Sequence, residues 1–256
     1  MAEQQRYLPG PERERRARSF GAVAQEYERG RPAYPRAAIE WLLGRPPLRV
    51  LDLGAGTGKL SAAVLAAGHS VVAVEPLAEM REVLRAALPQ LETLDGRAEA
   101  LPLAADSVDA VVVGAAFHWF EQGPALAEVE RVLRAPGTLG LLGNGFDTSL
   151  PWAASLREIL GPPAIEKPGH WPDPETLRAR FAEVGDRRFP HAQPVDRSRL
   201  RDLALSRSSL AVKDPRARQP TLGRVDELWE RHPELAGRRK ATLRWVARVR
   251  RCRALR

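Results

Sequence analysis

The chain has 256 residues and a mass of 28.3 kDa, with 44% hydrophobic and 28% charged residues, usage that excludes a wholly disordered or fibrous protein and points to one elaborated domain. Its longest stretch free of formal charge, Leu60 to Val74, is interrupted by Gly68 and His69 and falls short of the roughly 20 apolar residues a membrane helix needs. A net charge of +8 invites a nucleic-acid reading, yet nine of the 40 Lys and Arg lie from Arg238 onward with no acid among them, and the body before them is neutral; this tail reads as a solvated or structural segment ahead of a nucleic-acid arm.

The first 36 residues hold eight Arg and five Glu and no apolar run, so no secretory signal is expected. The single cysteine, Cys252, can form neither an internal disulfide nor a metal cluster, and the cytoplasm is the expected compartment. Arg13 to Tyr27 carries sparse apolar residues, Ala17, Phe20, Val23 and Ala24, spaced three and four apart, the pattern of a marginal helix that needs a surface to lie on. Tyr34-Pro35 opens a second helix that runs to Leu43 and stops at Gly44 and Pro46-Pro47.

From Leu48 the pattern becomes regular. Strands are expected at 48–53, 70–74, 91–94, 107–113 and 137–142, with helices at 60–67, 78–88 and 122–133 between them. Continuous apolar runs alternating with helices of this length argue parallel strands buried on both faces. Past Thr148 the prolines at 151, 162, 163, 168, 172 and 174 mark a loop-rich stretch before a helix from Pro174 to Val184. A strand at 187–195, helices at 199–210 and 222–230, and a final basic strand from Thr242 to Cys252 complete the reading.

The sharpest signal is Val50-Leu51-Asp52-Leu53-Gly54-Ala55-Gly56-Thr57-Gly58-Lys59-Leu60, a strand running through a glycine turn into a helix. A phosphate-binding P-loop needs Gly at 53 and Ser or Thr at 60, where Leu53 and Leu60 stand. A dinucleotide fingerprint needs its third glycine at 59, where Lys59 stands. A tight turn with no ligand is the plainer alternative. The remaining pattern, Asp-x-Gly-x-Gly-x-Gly, resembles the first motif of the class I S-adenosylmethionine-dependent methyltransferases.

That resemblance implies an α/β fold: a doubly wound, mostly parallel seven-stranded sheet with an N-terminal helical cap and a helical insertion before the last strand. The expected organisation is a cap over 1–36, a cofactor-binding core over 37–147, and a part over 148–256 that completes the sheet and encloses the acceptor. By resemblance, Gly54, Ala55, Gly56 and Gly58 let the backbone approach the methionyl part of S-adenosylmethionine, and Asp52 balances its ammonium group. Glu75, followed by Pro76 at the end of the next strand, offers a carboxylate that accepts two hydrogen bonds from vicinal ribose hydroxyls. Gly96-Arg97-Ala98-Glu99-Ala100-Leu101-Pro102-Leu103 resembles the segment that family sets against adenine, through Ala98 and Glu99.

Phe20 to Tyr27, Arg31-Pro32-Ala33-Tyr34-Pro35 and Gly114-Ala115-Ala116-Phe117-His118-Trp119-Phe120 look like the small-molecule subgroup that includes trans-aconitate methyltransferase-like proteins. Tyr27 and Arg31 then belong to a lid over the cofactor, Ala116 contacts it, and Phe117, Trp119 and Asn144 face the acceptor. His118 is the candidate general base, with a packed histidine in an aromatic cluster as the alternative. The other four histidines have no short metal-ligand spacing, and no metal is expected.

Two segments depart from the subgroup. Gly143 and Gly145 flank Asn144 where a Trp and a charged residue are usual, and Ser209 follows Ser206-Arg207-Ser208 where an aromatic is usual. Both remove bulk near the presumed acceptor. The leading expectation is methyl transfer from S-adenosylmethionine, leaving S-adenosylhomocysteine, to a small-molecule O, N or C nucleophile. The alternatives are an RNA methyltransferase using the basic tail, although no Asp-Pro-Pro-Tyr-like motif follows the fourth strand, and a cofactor-binding protein without catalysis.

Overall fold

A computed structural model of the chain describes residues 10–45, 47–167 and 169–254. The first nine residues of the expected cap, Pro46 of the expected helix stop, Pro168 of the proline-marked stretch and residues 255–256 of the basic tail lie outside them.

Seven strands form one sheet in the order β3-β2-β1-β4-β5-β7-β6. They are β1 (Arg49–Leu53), β2 (Ser70–Val74), β3 (Glu92–Leu94), β4 (Val108–Gly114), β5 (Leu133–Phe146), β6 (Phe181–Val195) and β7 (Ala241–Ala254). β1 to β5 run parallel, while β7 lies antiparallel between β5 and β6. The chain order reverses between β1 and β4, so the carboxyl ends of these two strands diverge into a crevice, the place where open α/β sheets bind ligands.

Helices cover both faces. On one, α6 (Gln122–Val132) packs Leu126 and Val129 onto Leu51, Val111 and Leu139. On the other, α3 (Arg36–Leu43) and α4 (Lys59–Ala66) bury Ile39, Leu42 and Val64 against Val50, Val112 and Leu142. The helix α5 (Ala78–Ala87) follows β2. A separate apolar cluster lies beyond the sheet end, where α7 (Pro151–Leu160), α9 (Arg197–Leu205) and α11 (Pro215–Arg231) enclose Trp152, Leu156, Leu203 and Trp229 around the stacked pair Phe146 and Trp245.

The first half follows the expected elements to within a residue or two, apart from the N-terminal helix and the length of β5. The helix expected over Arg13 to Tyr27 is two, α1 (Gly10–Arg18) and α2 (Ala24–Gly30). Ser19 Oγ donates to the Arg16 carbonyl at 2.7 Å, and at Gly21 a Cβ would stand 2.7 Å from Glu79 Oε2, so the chain turns against α5 instead of continuing.

The later half departs further. Residues 151–160 are helical because Pro151 opens α7, where its missing N–H is not needed. The helix expected from Pro174 to Val184 ends as α8 (Pro174–Arg178), since Phe181 pairs with Ala254 and buries its ring in the sheet core. The helix expected over 199–210 divides at Ser206-Arg207, and α10 (Ser208–Ala211) starts afresh.

The basic tail from Ala241 to Ala254 forms β7, and three of its arginines find partners on neighbouring elements. Arg250 makes a bidentate pair with Asp186 at 2.7 and 2.8 Å, Arg251 donates to the Trp41 carbonyl at 2.9 Å over its ring, and Arg253 pairs with Glu183 at 3.5 Å. Among the described residues no helix is long and apolar enough to cross a membrane, and no three His, Cys, Asp or Glu converge as a metal site.

Candidate functional site

The glycine turn after β1 sets the centre of the site. Gly54 and Gly56 have φ of 69° and 57°, in the left-handed region that a side chain disfavours. Gly54 N and Ala55 N both donate to the Val74 carbonyl, at 2.8 and 3.1 Å, which ties the turn to the end of β2. A Cβ on Gly54 would come within 2.8 Å of the Ala116 Cβ, so the glycine keeps a channel open between β1 and β4. Gly58 caps α4 and lines neither cavity; its missing Cβ makes room for Leu84 of α5.

Two cavities meet at this turn. The first, of about 630 Å³, runs over the carboxyl ends of β1, β2 and β4 and the loop after β3, lined by Glu75, Pro76, Ala98, Glu99 and Ala116 among others. Glu75 bridges two turns: Oε2 accepts from Gly56 N at 2.9 Å and Oε1 from Leu77 N at 3.0 Å. Burial raises the Glu75 pKa, and these two amides oppose the rise. Glu99 accepts from Glu121 N at 2.8 Å and pairs with Arg97 at 3.6 Å. The roof is α1, through Arg13, Glu14, Ala17 and Arg18, together with Phe20, which meets Tyr27 and Trp119 edge-on at 5.8 and 5.7 Å.

The second cavity, of about 320 Å³, shares Phe20, Tyr27, Gly54, Gly56, Gly114, Ala115 and Trp119 with the first. It extends toward Arg31, Asp52, His118, Asn144, Lys167 and Arg207. Ala115, at φ 55°, holds a strained left-handed conformation on the shared wall. Asp52 is 0% exposed; Ser61 Oγ donates to its Oδ2 at 2.6 Å and its Oδ1 has no partner. Burial pushes its pKa up to about 7, against the pull of the Ser61 hydrogen bonds. Asn144 donates to the Ala33 carbonyl at 3.3 Å, and its Oδ1 lies 2.9 Å from His191 Nε2.

His118 packs against Trp119 and His170, with ring centroids 4.4 and 4.7 Å away, and its Nδ1 is unpartnered. Burial, aided by His170, holds its pKa well below the ordinary imidazole value, so the ring is neutral near pH 7.

The sequence reading places most of these residues together. Phe117 is a correction: it is 1% exposed and lies in the sheet core with Leu126 and Phe181, because the short 3-10 turn over 117–119 swings it under the strand ends. Arg31, Asp52 and Ala55 were expected beside the cofactor and line only the second cavity.

The residue most clearly missed is Arg207. It is 8% exposed and donates to the carbonyls of Gly161 and Pro162 at 2.8 and 2.6 Å, with no carboxylate partner among the described residues. Burial, with Arg31 nearby, pulls its pKa down to about 9, opposed in part by Glu166, which lies beyond ion-pair distance and is paired with Arg157. Its only sequence signal was the Ser206-Arg207-Ser208 string. The cap is tied to the same region: Arg31 donates to Ser206 Oγ and carbonyl at 2.8 Å each, and Arg29 pairs with Asp202 at 2.8 Å. Gly30 sits so close to the Leu203 backbone that no Cβ fits.

Known proteins similar to this chain are methyltransferases. A family model described as a methyltransferase domain matches residues 51–141. An uncharacterized methyltransferase of Mycobacterium tuberculosis is 44% identical over 228 residues, 89% of this chain and 92% of the relative. A malonyl-[acyl-carrier protein] O-methyltransferase of Methylococcus capsulatus is 38% identical over 155 residues, 56% of each chain. Among solved structures, one described as a type II methyltransferase from Anaeromyxobacter dehalogenans superimposes with a TM-score of 0.64 at 22% identity, covering 88% of this chain and 97% of that one. Another, from an antibiotic biosynthesis pathway of Anabaena variabilis, reaches 0.56 at 26% identity, covering 83% and 95%.

Proposed function

The chain belongs to the class I S-adenosylmethionine-dependent methyltransferases, and on that premise we propose that it methylates a small-molecule acceptor that carries an anionic group, and does so in the cytoplasm. The carrying observation is Arg207, a buried guanidinium in the second cavity with only carbonyl oxygens for partners. A buried charge without a counter-ion is costly, and a carboxylate brought in by the acceptor relieves that cost. Arg31 and Lys167 line the same cavity, while its one buried acid, Asp52, is only partly ionised near pH 7. The relative named for malonyl-[acyl-carrier protein] methylation is consistent in kind, since a malonyl group ends in a carboxylate.

The residues present fit the cofactor. The first cavity offers open glycine backbone at Gly54 and Gly56, and Glu75 keeps free lone pairs for hydroxyl donors beyond its two amide bonds. Ala98, Glu99 and Ala116 bound the end suited to adenine. The orphan Oδ1 of Asp52 suits a cation next to the glycine turn. S-adenosylmethionine, when bound, supplies a sulfonium methyl group open to in-line attack.

The chain's own work is orientation and exclusion of water. Phe20, Tyr27 and Trp119 wall the junction of the two cavities, where donor and acceptor meet. A carboxylate nucleophile needs no base, so the neutral His118 serves as a hydrogen-bond partner to the acceptor.

Titration calorimetry with S-adenosylmethionine and S-adenosylhomocysteine, on wild type and Glu75→Ala, tests the donor site. Transfer of labelled methyl into matched panels of carboxylic acids, amines and neutral alcohols tests the acceptor. Label confined to carboxylate-bearing compounds supports the proposal; equal transfer to neutral compounds, or an acceptor KM unchanged in Arg207→Met, overturns it.

A further inference from the structure

A third cavity, of about 430 Å³, lies on the face of β6 and β7 that also carries the loop before α8. Its charged lining residues are Lys167, Asp173, Asp186, Arg187, Arg188, Arg248 and Arg250. Both acids are already engaged. Asp186 holds Arg250 in a bidentate pair, and Asp173 caps α8 through Thr176 N at 2.9 Å. Arg187 turns its guanidinium over the Phe189 ring. Arg188, Arg248 and Lys167 remain, without an ion-pair partner among the described residues.

The arrangement of two of these cations is unfavourable as it stands. Arg188 and Arg248 are direct cross-strand partners in the antiparallel β6–β7 register, and like charges directly opposite destabilise a sheet. Two rungs along, on the same face, the same two strands set Asp186 against Arg250, so the pairing of opposite charge is available to this fold and is not used here. A second observation points into the same space. His170 is 5% exposed, has no partner at either ring nitrogen, and lines this cavity. Burial takes its pKa down to about 3, so it is neutral and can donate one hydrogen bond and accept another.

We propose that this groove binds a phosphoryl group, held by Arg188 and Arg248 across the strand pair with Lys167 and His170 completing the shell. Arginine forks match phosphate oxygens two at a time, and a dianion cancels the repulsion between the opposed guanidiniums. Ile165, Lys167 and His170 form a common wall with the second cavity. The phosphoryl group is therefore either the far end of an extended acceptor or a free phosphate beside it. Only this placement next to the acceptor rests on the proposed function; the binding itself does not.

The test is a titration of the full chain, without methyl donor, followed by phosphorus NMR, using inorganic phosphate, diphosphate and an alkyl phosphate monoester. The expected result is saturable binding that weakens at least about tenfold in Arg188→Gln/Arg248→Gln, the loss of charge-assisted bonds, and is unchanged in Arg207→Met. Thermal unfolding without phosphate guards against a folding artefact: the double variant is expected to be at least as stable as wild type, because the cross-strand repulsion is gone.

Two further arms separate the sources. A compound joining a phosphate monoester to a carboxylate by a flexible chain binds more tightly than either half if the phosphoryl group belongs to the acceptor, and no more tightly than the monoester if the anion is free. Absence of phosphate binding by wild type, or binding lost in Arg207→Met and kept in the double variant, overturns the proposal.

Discussion

The donor-side and acceptor-side cavities share walls at Gly54, Gly56, Gly114 and Ala115 and are built in opposite ways. The first takes its lining from α1, Phe20 and Tyr27 and then from one run of chain, Leu53 to Phe120, at successive strand ends. The second draws on Arg31, Asp52, His118, Asn144, Arg207 and Trp245, spread over more than two hundred positions. Their electrostatics differ as well. The first sets Glu14, Glu75, Glu79, Asp95 and Glu99 against Arg13, Arg18 and Arg97, an excess of acid, whereas the second gathers Arg31, Lys59, Lys167 and Arg207 around one partly protonated acid. A site made of strand-end turns can stay constant while a site made by distant segments is remodelled, and under the proposed function the excess positive charge of the second is what selects an anionic acceptor.

The largest expected effect falls on the first cavity alone. Glu75→Ala removes the acceptor of two backbone N–H groups, at Gly56 and Leu77, and charge-assisted bonds of this kind are worth about 1.5–3 kcal/mol each. Calorimetry should show donor affinity falling by about 100-fold or more, the fold otherwise intact by circular dichroism. Gly30→Ala strikes both cavities. Its Cβ would collide with the Leu203 backbone where α2 docks on α9, beside the Arg29–Asp202 and Arg31–Ser206 contacts. A loss of about 1–3 kcal/mol in urea unfolding is expected, with donor and acceptor binding weakened together. Separate responses of the two cavities would refute a common dependence on the docking of α2 against α9.

The same contrast explains what the sequence made legible. The turn at Gly54 to Gly58, Glu75 and the strands β1 to β4 are each decided by residues within about a dozen positions, so apolar runs and glycine spacing suffice. β6 is legible only in its second half: the sequence reading has a strand over 187–195 but a helix from Pro174 to Val184, and the pairing of Phe181 to Asp186 shows only once β7 lies beside them. Arg207 looks like one arginine among 36, and only folding reveals that it has no direct ion pair among the described residues. Phe117 erred in the other direction. Its neighbours His118 and Trp119 do reach the cavities, and a single turn of 3-10 helix sends the residue before them into the core.

Arg207→Met sharpens the comparison from the acceptor side. Replacing the guanidinium with an apolar chain of similar length should raise the acceptor KM by about 2 kcal/mol, roughly 30-fold, in line with the loss of a partly buried charge pair. Donor affinity should not change. Stability should hold or rise, because the apo protein loses an uncompensated buried charge; a marked fall in Tm would mean that the carbonyls of Gly161 and Pro162 need this arginine for the fold itself.

The smallest effect is the most diagnostic of how the two cavities communicate. Asp52 lies under the glycine turn, and burial raises its pKa from 3.8 to about 7. With the folded value above the unfolded one, the native state holds a proton that the unfolded chain releases between these two pH values, so this group's contribution to stability falls as pH rises from about 4 to about 7 and is then constant. A cation bound nearby favours the ionised form, and the sign for ligand binding is therefore the reverse: donor affinity should climb as pH rises from about 6 to about 8, by at most about tenfold per pH unit. His118 and His170 are neutral throughout that window and do not contribute. Burial also raises Glu75, so the assignment rests on Asp52→Asn, which keeps a hydrogen-bond acceptor for Ser61 while removing the titration. In that variant the affinity should be flat with pH and the protein more stable than wild type above pH 7. A slope that survives Asp52→Asn would place the titrating group at Glu75, inside the first cavity, and would leave the buried acid of the second with a structural part only.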